Sequence, residues 1–562
     1  MKIRKLYRIG TAYRQFQRYR EIAKILLRHG FDDLIFTFGL RRYLPLGRRR
    51  QRPMPEITPT TRYQRLRMVV EELGPTFIKF GQLLSSRRDL LPREFIAELE
   101  TLQDKVTPFS AEEARAIVEE ELGGSLDDIF KSFNPQPSAS ASIAQVHEAV
   151  THGGERVAVK IRRPHIQKTV ETDISIMYSL ANFAQKMVEG SEVFEIERVV
   201  TQFARMIRKE LDFSLEFSNI QRFNRCFEHK DFVHVPKVYS ELSSHRVLTM
   251  EYISGIKITD LDSYEKADLD REAVATRGAE FMLEQIFTHG FFHADPHPGN
   301  IRILPGNVLC MLDYGIMGTF SERNRDELAK LVMGFTEMDE HAVSKAVMEL
   351  SSSGSFIRTT ELEADIANFM EDHLYRPVGE INLGNVMGEL GNLLIHYDIH
   401  LPPNFFLIIK CIATAEGVGQ RLIPEFDLQE YAKPFAHQIM RDQIKPKKTL
   451  KDIYYTAMDT RALLRDLPSE IKNAFNMFRE GNMRIKFQHT GLEELRHTHD
   501  QVSNRIVFGI VLAALIIGSS VMVHSDIPPK WNEIPLIGLG GFIISGLMGF
   551  SLLYSIIRHG KM

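Results

Sequence analysis

Four short patterns of reactive residue types follow one another along this 562-residue chain. The first is Val157-Ala158-Val159-Lys160, a lysine closing an apolar strand. The second is Glu210-Leu211-Asp212, with Glu216 six residues after its first acid. The third is His293-Ala294-Asp295-Pro296-His297-Pro298-Gly299-Asn300, and the fourth is Leu312-Asp313-Tyr314-Gly315, with Asp313 18 residues beyond Asp295. A lysine at a strand end can hold phosphate oxygens but needs an acid to orient it; Glu216 is expected to be that acid. Asp313 and Asn300 are expected to bind magnesium, which takes hard oxygen ligands and is held largely through nucleotide phosphate. Asp295 has the catalytic-loop spacing H-x-D-x-x-x-x-N and would orient whatever attacks the γ-phosphate. Each pattern alone is ordinary: strand-end lysines and helix acids usually face solvent. Their order and spacing together point to a kinase-like site for ATP and magnesium.

A rival assignment makes His293, Asp295 and His297 metal ligands of a hydrolase. It leaves Lys160 and Asp313 unexplained. Two departures from ordinary protein kinases stand out. No G-x-G-x-x-G precedes Lys160; its place is taken by Pro137-Ser138-Ala139-Ser140-Ala141-Ser142-Ile143-Ala144-Gln145, expected to be a nucleotide-covering loop. Small residues allow close backbone approach, although Ala and Ser lack the dihedral range of glycine. No A-P-E triplet follows Asp313 within 30 residues, so a peptide-binding platform is not expected. Ser321 instead reads as the N-cap of a helix through Phe335.

The elements that must position these residues are mixed. Residues 157–161, 232–252 and 308–312 read as strands, and Ser110 with Glu113 reads as a capping box opening the helix Ala111–Leu122. Strands in the first half with helices after them suggest α+β with two lobes. The net charge of −3 is uneven: residues 1–55 hold 15 Lys/Arg and three acids, +12, and the remainder carries −15. Apolar residues are spread through that basic arm (Ile22, Ile25, Leu26, Leu27, Phe31, Leu34, Ile35, Phe36). It therefore reads as an interfacial segment seeking anionic lipid rather than nucleic acid. Three scattered cysteines indicate neither a zinc ribbon nor a disulfide framework.

Near the C-terminus, 506–523 and 534–557 are uncharged runs of 18 and 24 residues. As helices they would be about 27 and 36 Å long, against a hydrocarbon core of about 30 Å. Small residues at four-residue spacing (Gly541, Ser545, Gly549; Gly509, Ala513) suit close helix packing, either within the hairpin or with a second copy as a homodimer. Flanking cations Arg505, Arg558 and Lys561 place both hairpin ends, and the body, on the cytoplasmic side.

The combined motifs closely resemble the UbiB (AarF) family of atypical kinase-like proteins. The family's K-x-G-Q motif is matched by Lys79-Phe80-Gly81-Gln82, its alanine-rich loop by Ala139–Ser142, its E-x-D motif by Glu210–Asp212, and its H-x-D-x-H-P-G-N loop by 293–300. The resemblance implies an atypical kinase-like two-lobed fold with a helical K-x-G-Q extension and a C-terminal transmembrane hairpin. It implies that Lys79 and Gln82 face Glu210 and the nucleotide, with Asp212 and Glu251 also counted in the nucleotide site. The expected organisation is an arm (1–60), the extension (61–135), an N-lobe (136–250), a C-lobe (251–440), a helical stalk (441–504) and the hairpin (505–562). The implied activity is ATP hydrolysis or small-molecule phosphorylation supporting ubiquinone biosynthesis at the inner membrane. Polyprenyl-phenol precursors and other biosynthetic proteins are the implied partners. A nucleotide-sensing, non-catalytic scaffold is the alternative.

Overall fold

The structure is a computed structural model. It describes residues 2–44, 61–85, 91–102, 106–187, 194–351, 359–374, 383–397, 399, 401–443, 465, 467, 468, 472, 493–525, 528–531 and 534–559. The chain forms two compact units, Met1–Lys451 and Asp452–Met562.

The first unit opens with helices α1 (Lys2–Arg28) and α2 (Asp32–Thr37), followed by α3 (Arg62–Leu73) and α4 (Pro75–Ser85). Thr61 and Gln64 form a capping box that starts α3. Gly74, at φ 91°, breaks it, and Pro75 opens α4 where its missing N–H costs nothing. Five of the eight apolar residues singled out in the arm do not present a free face to a bilayer. Ile22, Ile25, Leu26, Phe31 and Ile35 are buried with Val69 and Leu73 of α3 and with Ile176. Those five positions are therefore not the lipid-facing ones that the sequence led us to expect. Hydrophobic spacing is the same whether a helix covers lipid or protein, and here it covers protein. Phe36 remains exposed, while Arg48, Arg49, Arg50 and Arg52 lie outside the described residues. Arg18 fastens α1: Nε and Nη2 reach Asp173 at 2.7 and 3.1 Å, and Nη2 also donates to the Leu73 carbonyl at 2.6 Å.

Helices α5 (Arg93–Glu100), α6 (Ala111–Leu122, with the expected Ser110–Glu113 capping box) and α7 (Leu126–Ile129) lead into an antiparallel sheet. Its strands are β1 (Ser132–Ser140), β2 (Ala144–Val150), β3 (Arg156–Arg162) and, after an excursion, β5 (Val247–Glu251), in the order β1-β2-β3-β5. On β3, Val157, Val159 and Ile161 are fully buried toward α6. The period-2 alternation turns Lys160 to the opposite face. The excursion holds α8 (Ile166–Met187), α9 (Phe194–Glu210), α10 (Phe213–Phe227) and the short β4 (Val233–His234).

Beyond β5 and β6 (Ile256–Lys257) the chain becomes mainly helical. Helix α11 (Arg271–Leu283) runs into a wide turn, Glu284–His289, and then β7 (Phe291–His293). The hairpin β8 (Ile301–Leu304)/β9 (Val308–Met311) and β10 (Met317–Thr319), which pairs with β7, frame the reactive loops. Helices α12 (Glu322–Glu337), α13 (Glu340–Leu350), α14 (Thr359–Leu374), α15 (Leu383–His396), α16 (Pro403–Leu422) and α17 (Leu428–Gln443) complete the unit. Ser321 caps α12 by accepting from Asn324 N.

In the second unit, helices Glu493–His524 and Leu536–His559 form a hairpin. The expected stalk, 441–504, lies mostly outside the described residues. By length and composition Arg505–His524 can cross a membrane; the apolar stretch of the second helix among described residues is the shorter Leu536–Ser551. The two helices pack on each other. A Cβ on Gly541 would run into the Ser519 hydroxyl, and one on Gly538 would come within 2.6 Å of Val523. The first helix thus uses Ser519 and Val523, not the expected Gly509 and Ala513: nothing lies within 4 Å of a Cβ on Gly509, and Ala513 is exposed.

Candidate active site

Strand β3 and helix α10 build the centre. Asp212 caps α10 by accepting from Ser214 N at 3.1 Å, which fixes the first turn and so Glu216. Lys160 Nζ lies 2.8 Å from both Glu216 carboxylate oxygens and 3.3 Å from Asp313 Oδ1. Glu216 is buried and the Lys160 side chain is 14% exposed, while the Asp313 side chain is 45% exposed. Burial works against the Lys160 charge, but the two carboxylates outweigh it and raise its pKa. Burial also pushes Glu216 up to about 7, against the pull of Lys160 and with the push of Asp313. Asp313 is held well below the usual carboxylate range: partial burial opposes its charge, and Lys160 overcomes that opposition. The buried pair thus aims the ammonium at the more open Asp313 side.

The two reactive loops are tied together. Tyr314 N donates to Glu216 Oε1 at 3.3 Å, and the fully buried Tyr314 ring packs edge-on against Phe223 of α10. His293 is buried, with Nε2 donating to the Asp313 carbonyl at 2.5 Å and Nδ1 accepting from Asp295 N at 3.1 Å. Burial lowers its pKa, so it stays neutral in this tautomer. Gln285, in the wide turn before β7, accepts from His293 N at 2.9 Å. His297 Nδ1 accepts from Gly299 N. Both ring nitrogens of His293 are used in this way, and no group of three or more His, Cys, Asp or Glu is placed to hold a metal among the described residues. The hydrolase assignment finds no support in this geometry.

Asn300 sits beside Asp313, because its carbonyl accepts from Leu312 N at 2.9 Å. Helix α4 brings Lys79 Nζ to 2.9 Å from Glu210 Oε1, with Gln82 half-buried on the same helix. The other Glu210 oxygen, Oε2, is buried and has no hydrogen-bond partner among the described residues. A Cβ on Gly315 would lie 3.3 Å from Asp313 Oδ1 and 3.8 Å from Glu210 Cγ, so the two acids flank that glycine. An ionised carboxylate and an acidic oxygen without a hydrogen bond are the donor types a hard divalent cation takes, and the backbone pairing brings Asn300 to the same end of the site.

Residues 137–145 form the tip of the β1–β2 hairpin, with Ser140 opposite Gln145. The tip is pinned by Arg163, whose N and Nε donate to the carbonyls of Ile143 and Ala141 at 2.9 and 3.0 Å and whose Nη2 donates to Ser140 Oγ at 2.8 Å. Ser138 Oγ donates back to Val146 O; Ser142, Ile143, Ala144 and Gln145 are buried. Gln145 is engaged inside the protein, accepting from Phe109 N and bonding His147, so its side chain supports the hairpin instead of facing the site. Glu251 closes β5 and accepts from His234 Nε2 at 2.9 Å and Lys237 N at 3.1 Å.

Asp295 pairs with a residue that local spacing does not point to. Lys410 Nζ, on α16, lies 2.9 Å from Asp295 Oδ1. Burial opposes the Asp295 charge, yet Lys410, with Lys79 as a smaller influence, holds the carboxyl below its usual range. Arg163, Gln285 and Lys410 are thus added to the site by the fold; none stands in a motif, and Lys410 is more than a hundred residues from its partner.

Known proteins bear on this arrangement. A family model described as the ABC1 atypical kinase-like domain matches residues 101–347, the UbiB helical domain matches 366–427, and the ABC1/UbiB kinase-like C-terminal domain matches 490–558. A protein named "Probable protein kinase UbiB" from Xanthomonas oryzae is 33% identical over 91% of this chain and 94% of its own length. One of the same name from Xylella fastidiosa is 32% identical over 95% of this chain and 98% of its own. The solved complex of Rv3197 with erythromycin from Mycobacterium tuberculosis is 24% identical, covering 64% of this chain and 95% of that one, with a TM-score of 0.42. The chain belongs to the ABC1/UbiB family of atypical kinase-like proteins.

Proposed function

We propose that this chain is a membrane-held enzyme that binds ATP and transfers its terminal phosphoryl group to water or a small molecule in support of ubiquinone biosynthesis. The observation that carries it is the buried Lys160–Glu216 pair aimed at Asp313. Lys160, oriented by Glu216, holds phosphate oxygens. Asp313 and Asn300 hold magnesium, which supplies neutralising charge on the phosphates when bound. The hairpin tip of residues 137–144 covers the nucleotide, and helix α4, pinned through Lys79 and Glu210, closes the side where a peptide would lie. Asp295 accepts a hydrogen bond from the attacking hydroxyl and orients it. Helix Arg505–His524, with its partner in the hairpin, would hold the unit at the cytoplasmic face of the inner membrane, near polyprenyl-phenol substrates. The UbiB name of the relatives supports the pathway assignment.

The test is Asp313→Asn in the full-length protein in detergent. Magnesium-dependent ATP turnover should vanish; unchanged turnover would refute the assignment. Wild-type protein that binds nucleotide and never turns it over, in a strain where Asp295→Asn fully complements quinone synthesis, would favour the scaffold role.

A further inference from the structure

Phosphoryl transfer spreads negative charge over the equatorial oxygens of the moving group, and catalysis depends on fixed cations or donors aimed at that charge. The reactive loop contains no such cation of its own: Pro296, His297, Pro298 and Gly299 separate Asp295 from Asn300. His297 has spent Nδ1 on the turn by accepting from Gly299 N. At the other end of the site Lys160 is committed to Glu216 and Asp313. Lys79, on the K-x-G-Q helix, is committed to Glu210.

Lys410 meets the requirement. It reaches Asp295 Oδ1 with one of three N–H donors, and its side chain is 34% exposed beside the 40% exposed Asp295. The helix beneath it is fixed to the loop. Cys411, the next residue, is fully buried and bonds the His293 carbonyl through Sγ at 2.7 Å, and Asn404 one to two turns earlier donates to the Thr319 carbonyl at 2.7 Å. Those contacts lock α16 against both β7 and β10, so the ammonium is held at the loop by packing as well as by charge.

We propose that Lys410 is a further catalytic residue, the cation that touches the terminal phosphate and, through Asp295, sets the line between that phosphate and its acceptor. The inference rests on the phosphoryl-transfer reading above. One donor stays on Asp295 while the others turn to the γ-phosphoryl oxygens; no bond is made or broken by Lys410 itself. A cation supplied from a helix of the second half is why the loop can carry proline and histidine between Asp295 and Asn300.

The experiment compares wild type, Lys410→Met, Lys410→Arg and Asp313→Asn as full-length proteins in detergent. Affinities for ADP and for a non-hydrolysable ATP analogue are measured with magnesium, along with ATP turnover. Lys410→Met should lose about tenfold in affinity for the ATP analogue, keep its ADP affinity, and lose about a hundredfold in kcat, the scale of one transition-state donor. Lys410→Arg should recover part of kcat. Equal affinities for both nucleotides with full kcat, or a parallel loss of both affinities, would overturn the inference. Turnover lost in Asp313→Asn but kept in Lys410→Met would sink this inference alone; turnover kept in Asp313→Asn would sink the phosphoryl-transfer reading. A selective loss of the ATP analogue in Lys410→Met would still support the contact where no variant turns over ATP.

Discussion

Replacing Arg18 by Met tests whether α1 is part of the folded body. Asp173 is fully buried, and Arg18 is its bidentate partner as well as a donor to the Leu73 carbonyl at the end of α3. Removing one partner of a buried pair leaves an uncompensated charge and costs about 3–5 kcal/mol. Burial already lifts the Asp173 carboxyl above its ordinary range despite Arg18. In Arg18→Met it is lifted further, and the group escapes part of the cost by taking a proton. The sign follows. A carboxyl whose folded pKa lies above its unfolded value destabilises the fold at high pH, and the penalty fades as pH falls through the folded value. The loss should therefore be larger at pH 8 than at pH 5.5. Arg18→Lys keeps the charge but not the fork and should cost about 1–2 kcal/mol. Hydrogen exchange of α1 amides from Arg20 to Arg28 reads this locally: about a hundredfold to a thousandfold faster exchange in Arg18→Met at pH 8, and a smaller factor at pH 5.5. Unchanged α1 protection in Arg18→Met would show that the pair does not hold the helix, and the body would lose its claim on the basic arm.

Two further outcomes follow from the hairpin that covers the site. His147 is buried, with Nδ1 donating to Asn134 O and burial lowering its pKa, so it is neutral when folded. The unfolded chain then binds the extra proton, and β1–β2 protection should fall as pH drops below about 6.5, by at most about 1.4 kcal/mol per pH unit; in His147→Gln that dependence should shrink. Arg163→Ala should release the carbonyls of Ala141 and Ile143, speeding amide exchange at 141–144 about tenfold and raising the KM for ATP; an unchanged KM would mean that the tip does not cover the nucleotide.

The local signals in the sequence were read where chemistry is written in consecutive residues. Ser110 with Glu113, and Ser321 before α12, carry their partners three residues away, so their caps were legible. Lys160, Asp295 and Asp313 were found through spacing, and the fold joins Lys160 and Asp313 at 3.3 Å. No sequence spacing ties Glu216 to Lys160, 56 residues away, and the 2.8 Å contact is what pairs them. What the sequence leaves open has one physical cause. An apolar stripe such as Ile22, Ile25 and Leu26 states that it must be covered and not by what; α3 and Ile176 supply the cover. Lys410 and Gln285 act across the fold, and no local periodicity registers a partner so distant. Gly509 and Ala513 have the spacing of a helix contact, yet the hairpin turns another face inward, because rotation about a helix axis is set by what packs best and not by the presence of small residues.

His293 has a mechanical consequence. One ring spans from the Asp295 amide to the Asp313 carbonyl, each end in a hydrogen bond, and burial keeps that ring uncharged. It acts as a rigid spacer of fixed length between the acid that would face the acceptor and the acid that would face the phosphates. Since burial disfavours charge on that ring, the span between the two loops is set by the dimensions of a neutral imidazole.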